Sequence, residues 1–315
     1  MPYIGLIGPP DREEIIRLAI CLEERGADPV FLDPRKDDPF TIDPDHVSAC
    51  GEDLSDLRGC YVADLGLRRP YVLDDDGLPV GEESLVQLDA SRRHLAMWNT
   101  VLERLGRQGP VVNPPRSHDL HGLKPWEMAV YARKGLPHPA TLSTCDPDSL
   151  SEPPPSAGGE WIHKGLVGGY GYTESFAPPA DRDEAESALA DGPLLVQERI
   201  AGDNLRAFVL DGRVIGAAVI VPALADDTDS RRETQQVRRC DLPSEAVQTA
   251  VAAARCWGMP FSAVDFMIDA ASGRHLVLEC NSAPFFMTFE KQTGLQITKE
   301  LAEYLIRPPK PVQLA

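Results

Sequence analysis

From Pro193 to Cys280 the chain is a run of apolar segments bounded by turn signals, and no other feature constrains the fold as strongly. LLVQERI, LRAFVLD, RVIGAAVIV, FSAVDFMID and RHLVLEC are rich in β-branched and aromatic residues, as strands are. Two joins are Asp211-Gly212 and Ser272-Gly273, dipeptides that tolerate the positive φ of tight hairpins. A mostly antiparallel sheet is implied, interrupted by a helix near Ser244 to Trp257.

The last hairpin carries the chemistry. Asp265 lies on one strand, Glu279 and Asn281 on the other, and alternation puts Glu279 and Asn281 on one face. A turn near Ser272-Gly273 brings Asp265 almost opposite them, so three hard oxygen donors converge, a set that suits Mg²⁺ completed by water and phosphate oxygens. The plain alternative is a solvent-facing edge hairpin. The apolar neighbours Val264, Phe266, Val277 and Leu278 argue against it, because carboxylates inside such runs are rarely incidental.

Three other segments add to this. In WIHKGLVGGYGYT, Lys164 ends a strand and Gly165, Gly168, Gly169 and Gly171 follow; glycines let backbone N–H groups surround a polyphosphate while the ammonium neutralises it. Alone, the run is also what a common glycine-rich hairpin offers, and it is no Walker loop, since GKS and GKT are absent. In LLVQERIAGDNLRAFVLDGRV, Gln197 and Glu198 end a strand before a short connector that can offer an amide and a carbonyl to an adenine edge, with Ile200 against the base. An ordinary hairpin is the alternative. Arg206, beside apolar Phe208 and Val209, either aims a guanidinium at an anion or pairs with one of the carboxylates. Arg231 and Arg232 follow an acidic lead-in that would by itself simply pair with them at the surface.

Elsewhere the pattern alternates strand and helix. PYIGLIG, Asp11 as N-cap, the helical period of EEIIRLAICLEER, a stop at Gly26 and the strand DPVFLD make a βαβ opening. Strand GCYVADL, a DDDGLPVGEE loop, a helix from Ser84 to Leu105 and strand PVVN follow, with a boundary at Gly109 to Pro115. A helix from Lys124 to Lys134 stops at Gly135 before extended PHPATLST, and DPDSLSEPPPSAGG reads as a polar loop with little capacity to pack. The closing helix runs from Gln296 to Ile306, ahead of Pro308.

At 315 residues, two or three units sharing a cleft are expected. A net charge of −18 without a Lys/Arg cluster argues against nucleic acid or an anionic membrane as partner. No run of eighteen apolar residues exists and PYIGLIG lacks a charged leader, so the cytoplasm is the expected compartment. Seven cysteines without a CxxC pair read as reduced, mostly buried thiols rather than disulfides or structural zinc.

Taken in order, VVNPP, Lys124 before GLPHPAT, Lys164 with its glycines, QERI, DNLRAFVLDGRV, Asp229 to Arg231, VDFMID and LECNSAPFF with EKQTG resemble the ATP-grasp family. The resemblance covers about Val112 to Ile306 and is nearest the branch of the ribosomal-protein glutamate ligase and bacterial glutathione synthetase. It implies an α/β (α+β) ATP-grasp fold: an N-terminal pre-ATP-grasp domain over 1–112, a central subdomain with a glycine-rich flap over 113–196, and a magnesium-site subdomain over 197–315. By the same resemblance, Lys124 and Lys164 hold ATP phosphates, Gly168, Gly169 and Gly171 close over them, and Gln197, Glu198 and Ile200 line the adenine site. Asp203 or Asn204 touches nucleotide or substrate; Asp265, Glu279 and Asn281 hold one or two Mg²⁺ ions, or Mn²⁺; Arg206 and Arg231 hold the acyl-phosphate.

The implied reaction joins a carboxylate, on a small molecule or peptide, to an amine co-substrate. A small-molecule kinase and a nucleotide-binding regulatory protein are the alternatives, and a homodimer or homotetramer is the implied assembly. The chain departs from the pattern at Lys164-Gly165, where relatives have Lys-Pro, and at Asn204, where the glutamate-ligase branch has aspartate.

Overall fold

The computed structural model describes residues 1–36, 39–65, 81–150, 160–166, 173–176, 182–190, 192–221 and 236–307. They fall into two compact units, one formed by Met1–Pro115 with the chain from Ile297 onward, the other by Arg116–Gln296.

The first unit opens with β1 (Tyr3–Ile7), α1 (Glu13–Glu23) and β2 (Asp28–Leu32), the βαβ that the hydrophobic spacing predicts. Asp11 does not cap α1. Arg12 occupies the cap position in extended conformation without a capping side-chain bond, since a guanidinium has no acceptor to offer the first N–H groups; it donates instead to the Ala63 carbonyl (2.6 Å) and pairs with Glu14 (3.1 Å). A small antiparallel sheet of β3 (Thr41–Ile42), β4 (Val47–Ala49) and β5 (Glu52–Asp53) follows, too short for the sequence pattern to announce. Next come β6 (Gly59–Val62), α2 (Gly81–Leu105) and β7 (Val111–Val112). The main sheet is parallel, in the order β2-β1-β6-β7. Trp98, Val101, Leu102 and Leu105, at helical spacing on α2, fill its core with Val30, Leu32 and Val62. Of the DDDGLPVGEE loop, Gly81 to Glu83 are already helical and the rest lies outside the described residues.

The second unit holds two sheets. After α3 (Pro115–His118), α4 (Lys124–Lys134) has the expected limits and ends at Gly135 in left-handed conformation. The first sheet pairs β8 (Thr141–Thr144), β9 (Trp161–Gly165), β10 (Glu174–Phe176) and, after α5 (Arg182–Leu189), β11 (Leu194–Glu198), in the order β10-β9-β11-β8. Of the polar stretch before β9 only Asp146 to Leu150 lies within the described residues, and this part packs against expectation: Leu150, in a 3-10 turn at Pro147–Leu150, is fully buried with Trp161 and Val196. A short polar segment needs only one apolar side chain over a sheet edge to contribute to a core.

The second sheet contains β12 (Gly202–Leu210), β13 (Arg213–Val221), β14 (Gln236–Arg239), β15 (Phe261–Asp269) and β16 (His275–Asn281), all antiparallel, in the order β14-β13-β12-β15-β16. Helix α6 (Ser244–Cys256) is inserted before β15 and α7 (Met287–Thr293) follows β16. Both hairpins form where expected, with positive φ at Asp211, Gly212 and Gly273. β11 and β12 belong to different sheets, so Arg199 to Ala201 link two layers rather than close a hairpin. On one face of the five-stranded sheet, Leu205, Ala207, Val209, Val264, Phe266 and Val277 pack with Ala250, Ala253 and Ala254 of α6 and Met128 and Tyr131 of α4.

The last helix, α8 (Ile297–Ile306), has the predicted span but packs on α1 and β6 of the first unit. None of the seven cysteines is in a disulfide; Cys21, Cys60 and Cys280 are buried, Cys145 is exposed and the other three are half-buried, so most are not in the core. Among the described residues no helix is long and apolar enough to cross a membrane.

Candidate active site

The face of the five-stranded sheet opposite α6 carries a charged row. Arg206 on β12 pairs in register with Asp265 on β15, and Asp265 with Glu279 on β16, so the three side chains stand side by side across three strands. Asn281, two residues beyond Glu279, shares the face. A β-bulge on β16 makes this possible: Val277 pairs with Phe266 and Glu279 with Asp265, leaving Leu278 as the extra residue. Without it, Val277 and Glu279 would face the same way; with it, Val277 enters the core while Glu279 joins the row.

Arg206 binds Asp265 through two parallel bonds, Nε to Oδ1 at 2.6 Å and a terminal nitrogen to Oδ2 at 2.8 Å, and its guanidinium lies 5.4 Å from the Phe289 ring centre. Asn281 donates to Asp265 Oδ2 at 2.9 Å. Burial pushes the Asp265 carboxyl up, partly offset by Arg206 and Asn281. Burial also works against the charge on Arg206, but Asp265 and Glu279 more than restore it. The ion pair weighed as the alternative for Arg206 is therefore present, and it leaves the guanidinium inside the row.

Lys124, the first residue of α4, reaches Glu279 Oε2 at 3.1 Å. Lys164, at the end of β9, donates to Gln197 Oε1 at 3.3 Å and also acts electrostatically on Glu279. Burial would raise the Glu279 carboxyl, yet Lys124, Lys164 and Arg206 outweigh it and hold the group down at about 2. The structure thus brings Lys124, Lys164, Arg206, Asp265, Glu279 and Asn281 together.

Gln197 is buried and donates to Thr141 Oγ1 at 3.1 Å. The Glu198 backbone N–H donates to the Ala140 carbonyl (2.8 Å), the Ala140 N–H donates to Glu198 Oε2 (3.3 Å), and Ile200 follows in the connector between the sheets. Alternation along β12 puts Asn204 on the Arg206 face and Asp203 on the other. Among the described residues, the buried Oδ1 of Asn204 has no hydrogen-bond partner. Gly168, Gly169, Gly171 and Arg231 lie outside the described residues. Phe286 is fully buried, against Phe261, whereas Phe285 is 69% exposed. His94, on α2, has Nε2 at 2.5 Å from the Pro34 carbonyl.

Glu127 escaped the sequence reading. It is 1% exposed, and its Oε1 accepts from the Tyr131 hydroxyl (2.5 Å) and from the backbone N–H of Cys280 (2.7 Å). Burial pushes its carboxyl up to about 8. The only sequence hint is its place one turn after Lys124, among the later-buried Met128 and Tyr131. A separate cavity of about 720 Å³ opens beside Gly135 to His138, lined also by Glu245, Thr249, Arg274 and His275; none of the row residues borders it.

Two carboxylates and an amide with lysines alongside make a poor all-protein metal cage, and among the described residues no group of three or more His, Cys, Asp or Glu could hold an ion. The set does fit Mg²⁺, which takes one or two carboxylates and completes its shell with water and phosphate oxygens.

The row, with a lysine from a neighbouring helix and another from a second sheet, is carried on a fold of ATP-grasp type. The chain belongs to the RimK-like ATP-grasp domain family, which it matches over residues 126–305. A probable alpha-L-glutamate ligase of Picosynechococcus sp. is 30% identical over 193 residues, 58% of this chain and 63% of that one. The chain therefore spans a little under two thirds of the curated relative. The ATP-grasp ligase PsnB, in complex with precursor peptide PsnA2 and AMPPNP, superposes with a TM-score of 0.77 at 25% identity, covering 96% of each chain. The macrocyclase MdnC of Microcystis aeruginosa MRC, bound with precursor peptide MdnA, shares the fold, with a TM-score of 0.75 at 17% identity over 98% of this chain and 100% of that one.

Proposed function

We propose that the chain is an ATP-dependent carboxylate–amine ligase that forms an amide through an acyl-phosphate. A substrate carboxylate oxygen attacks the γ-phosphorus of ATP and ADP leaves with the bond's electrons. The amine then attacks the acyl carbon, inorganic phosphate departs, and the amine loses a proton. The observation that carries this reading is the row Arg206, Asp265, Glu279 with Lys124 and Lys164 converging on it. Positioning and charge compensation of this kind account for most of the rate in phosphoryl transfer.

In this reading Lys124 and Lys164 exchange their present carboxylate and amide partners for phosphate oxygens. Gln197 through Ile200 line the adenine, and Asn204 offers its unpartnered oxygen to nucleotide or substrate. Asp265, Glu279 and Asn281 would hold one or two Mg²⁺ ions, with Mn²⁺ as a substitute, and the metal would neutralise charge on the phosphates. Arg206 steadies the developing acyl-phosphate. Gly168, Gly169, Gly171 and Arg231 complete the phosphate cover and the acyl-phosphate grip on the strength of the resemblance alone. The carboxylate belongs to an amino acid, a peptide or a protein side chain, and the likeness to PsnB with its precursor peptide favours a peptide. A cytoplasmic setting goes with this reading.

The test is a phosphate-release screen over amino acids and short peptides, with hydroxylamine as a trap. ADP and phosphate should appear only when both carboxylate and amine are supplied, and hydroxylamine should yield a hydroxamate. ADP with a stable phosphorylated product would point to a kinase, and nucleotide binding without turnover on any pair would point to a regulatory protein.

A further inference from the structure

We propose that Glu127 is a positioning residue for the metal-binding strand: its buried carboxyl grips the backbone of Cys280, the residue between Glu279 and Asn281, and so sets how those two side chains meet a divalent cation. The inference rests on reading the charged row as a metal–nucleotide site.

β16 is the edge strand of its sheet, so the N–H groups on its outer side have no neighbouring strand to bond. Buried groups of this kind must find another acceptor. Two are supplied: the Pro137 carbonyl takes the Val277 N–H at 2.8 Å, and Glu127 Oε1 takes the Cys280 N–H at 2.7 Å. The bulge lies between these two points, so the irregular stretch that turns Glu279 into the row is held at both ends. Lys124, one turn earlier on the same helix, holds the Glu279 carboxylate itself at 3.1 Å. Helix α4 therefore fixes both the backbone and the side chain of the ligand strand. On the other flank, the Ser262 hydroxyl donates to the Asn281 carbonyl at 3.1 Å.

Glu127 is in turn locked in place. The Tyr131 hydroxyl is 2.5 Å from Oε1, and the same hydroxyl receives the Trp257 indole N–H at 3.4 Å. A carboxyl held this firmly acts as a fixed reference point for β16. Removing its acceptor oxygen leaves a buried N–H unsatisfied and frees the bulged segment to shift, and Mg²⁺-type sites tolerate little displacement of their ligands.

The experiment uses the full chain with Mn²⁺ as the probe, measuring by electron paramagnetic resonance the Mn²⁺ that half-saturates the protein–ADP complex. ADP binding in EDTA and the thermal midpoint are measured for each variant. Glu127→Met should raise the Mn²⁺ requirement about tenfold, the scale of outer-sphere partners of metal ligands. Metal-free ADP binding should stay unchanged. Glu127→Asp, which keeps the polarity but shortens the reach, should weaken Mn²⁺ binding several-fold and carries the test if Glu127→Met does not fold. Glu127→Gln keeps an acceptor oxygen at the same reach and should restore near wild-type affinity. Tyr131→Phe removes one of the two bonds to Oε1 but leaves the acceptor of the Cys280 N–H, so it should lower the thermal midpoint and raise the Mn²⁺ requirement by less than Glu127→Met does. Wild-type Mn²⁺ affinity in both the Met and Asp variants, failure of Gln to rescue, or an equal loss in Tyr131→Phe would each overturn the inference. Should wild type bind no Mn²⁺ with ADP, the functional reading falls with it.

Discussion

Glu127 holds the backbone of β16 from α4 while Glu279 projects from β16 itself, and the two carboxyls are driven to opposite protonation behaviour. Glu279 is burdened by burial but faces Lys124, Lys164 and Arg206, and falls to about 2; Glu127 has burial unopposed by a contacting cation, and rises to about 8. The second shift has a testable sign. Between its ordinary value near 4.5 and about 8, the unfolded chain has released the Glu127 proton while the folded chain retains it, so rising pH favours unfolding across that window. Glu127→Gln mimics the protonated acid and removes the dependence. Urea midpoints of wild type and Glu127→Gln, compared at pH 5 and pH 8, should show wild type losing ground to the variant as pH rises; a gap that stays constant would refute the raised carboxyl. The row itself was legible in the sequence because Asp265, Glu279 and Arg206 interrupt apolar strands. Glu127 was not, because an acidic residue in a helix that also contains Arg133 and Lys134 reads as a solvated face. Only the packing of Tyr131 and β16 over it makes it buried.

At the level of elements, β12 and β15 carry the middle of the row, and their pairing begins at Gly202, opposite Asp269. A Cβ at Gly202 would lie 1.8 Å from the Ile268 carbonyl oxygen, which is backbone and cannot swing aside. Gly202→Ala should therefore cost about 3 kcal/mol or more, by forcing the strands apart next to Asn204 and Arg206. Gly135→Ala is the contrasting case: φ is +68° but nothing lies within 4 Å of the added Cβ. Its cost should be about 1 kcal/mol, the conformational penalty alone. Denaturant unfolding of the two variants checks the pair, and equal losses would remove the steric argument. Strands with long apolar runs, the two hairpins and α4 were all legible, since period and turn chemistry are local. The bulge at Leu278 was not, because it depends on which face each half of β16 must present to the rest of the fold. Short elements such as β3, β5 and β10 offered two or three residues each, too few for any period to show.

At the scale of the molecule, the first unit is discontinuous in sequence. Its parallel sheet comes from the first 115 residues, and α8 joins it only after the whole second unit has been threaded through. The amphipathic pattern of α8 was readable, but a pattern says that a face will be buried and not against what. Sequence adjacency to the ligand strand suggested the C-terminal subdomain; the packing on α1 and β6 is non-local and has no signature of its own. Within α8, Ile297, Leu301, Ala302 and Leu305 are fully buried. Leu301→Ala opens a void among them and should destabilise the first unit by about 2–5 kcal/mol, as buried leucine truncations do. The loss should appear first where α8 rests. Amide hydrogen exchange should accelerate in Glu13–Glu23 and in Gly59–Val62, with Phe261–Asp269 of the five-stranded sheet as internal reference. If exchange in α1 stays level with that reference, α8 does not stabilise the first unit, and the closing helix would have to be reassigned to the part of the chain that holds the charged row.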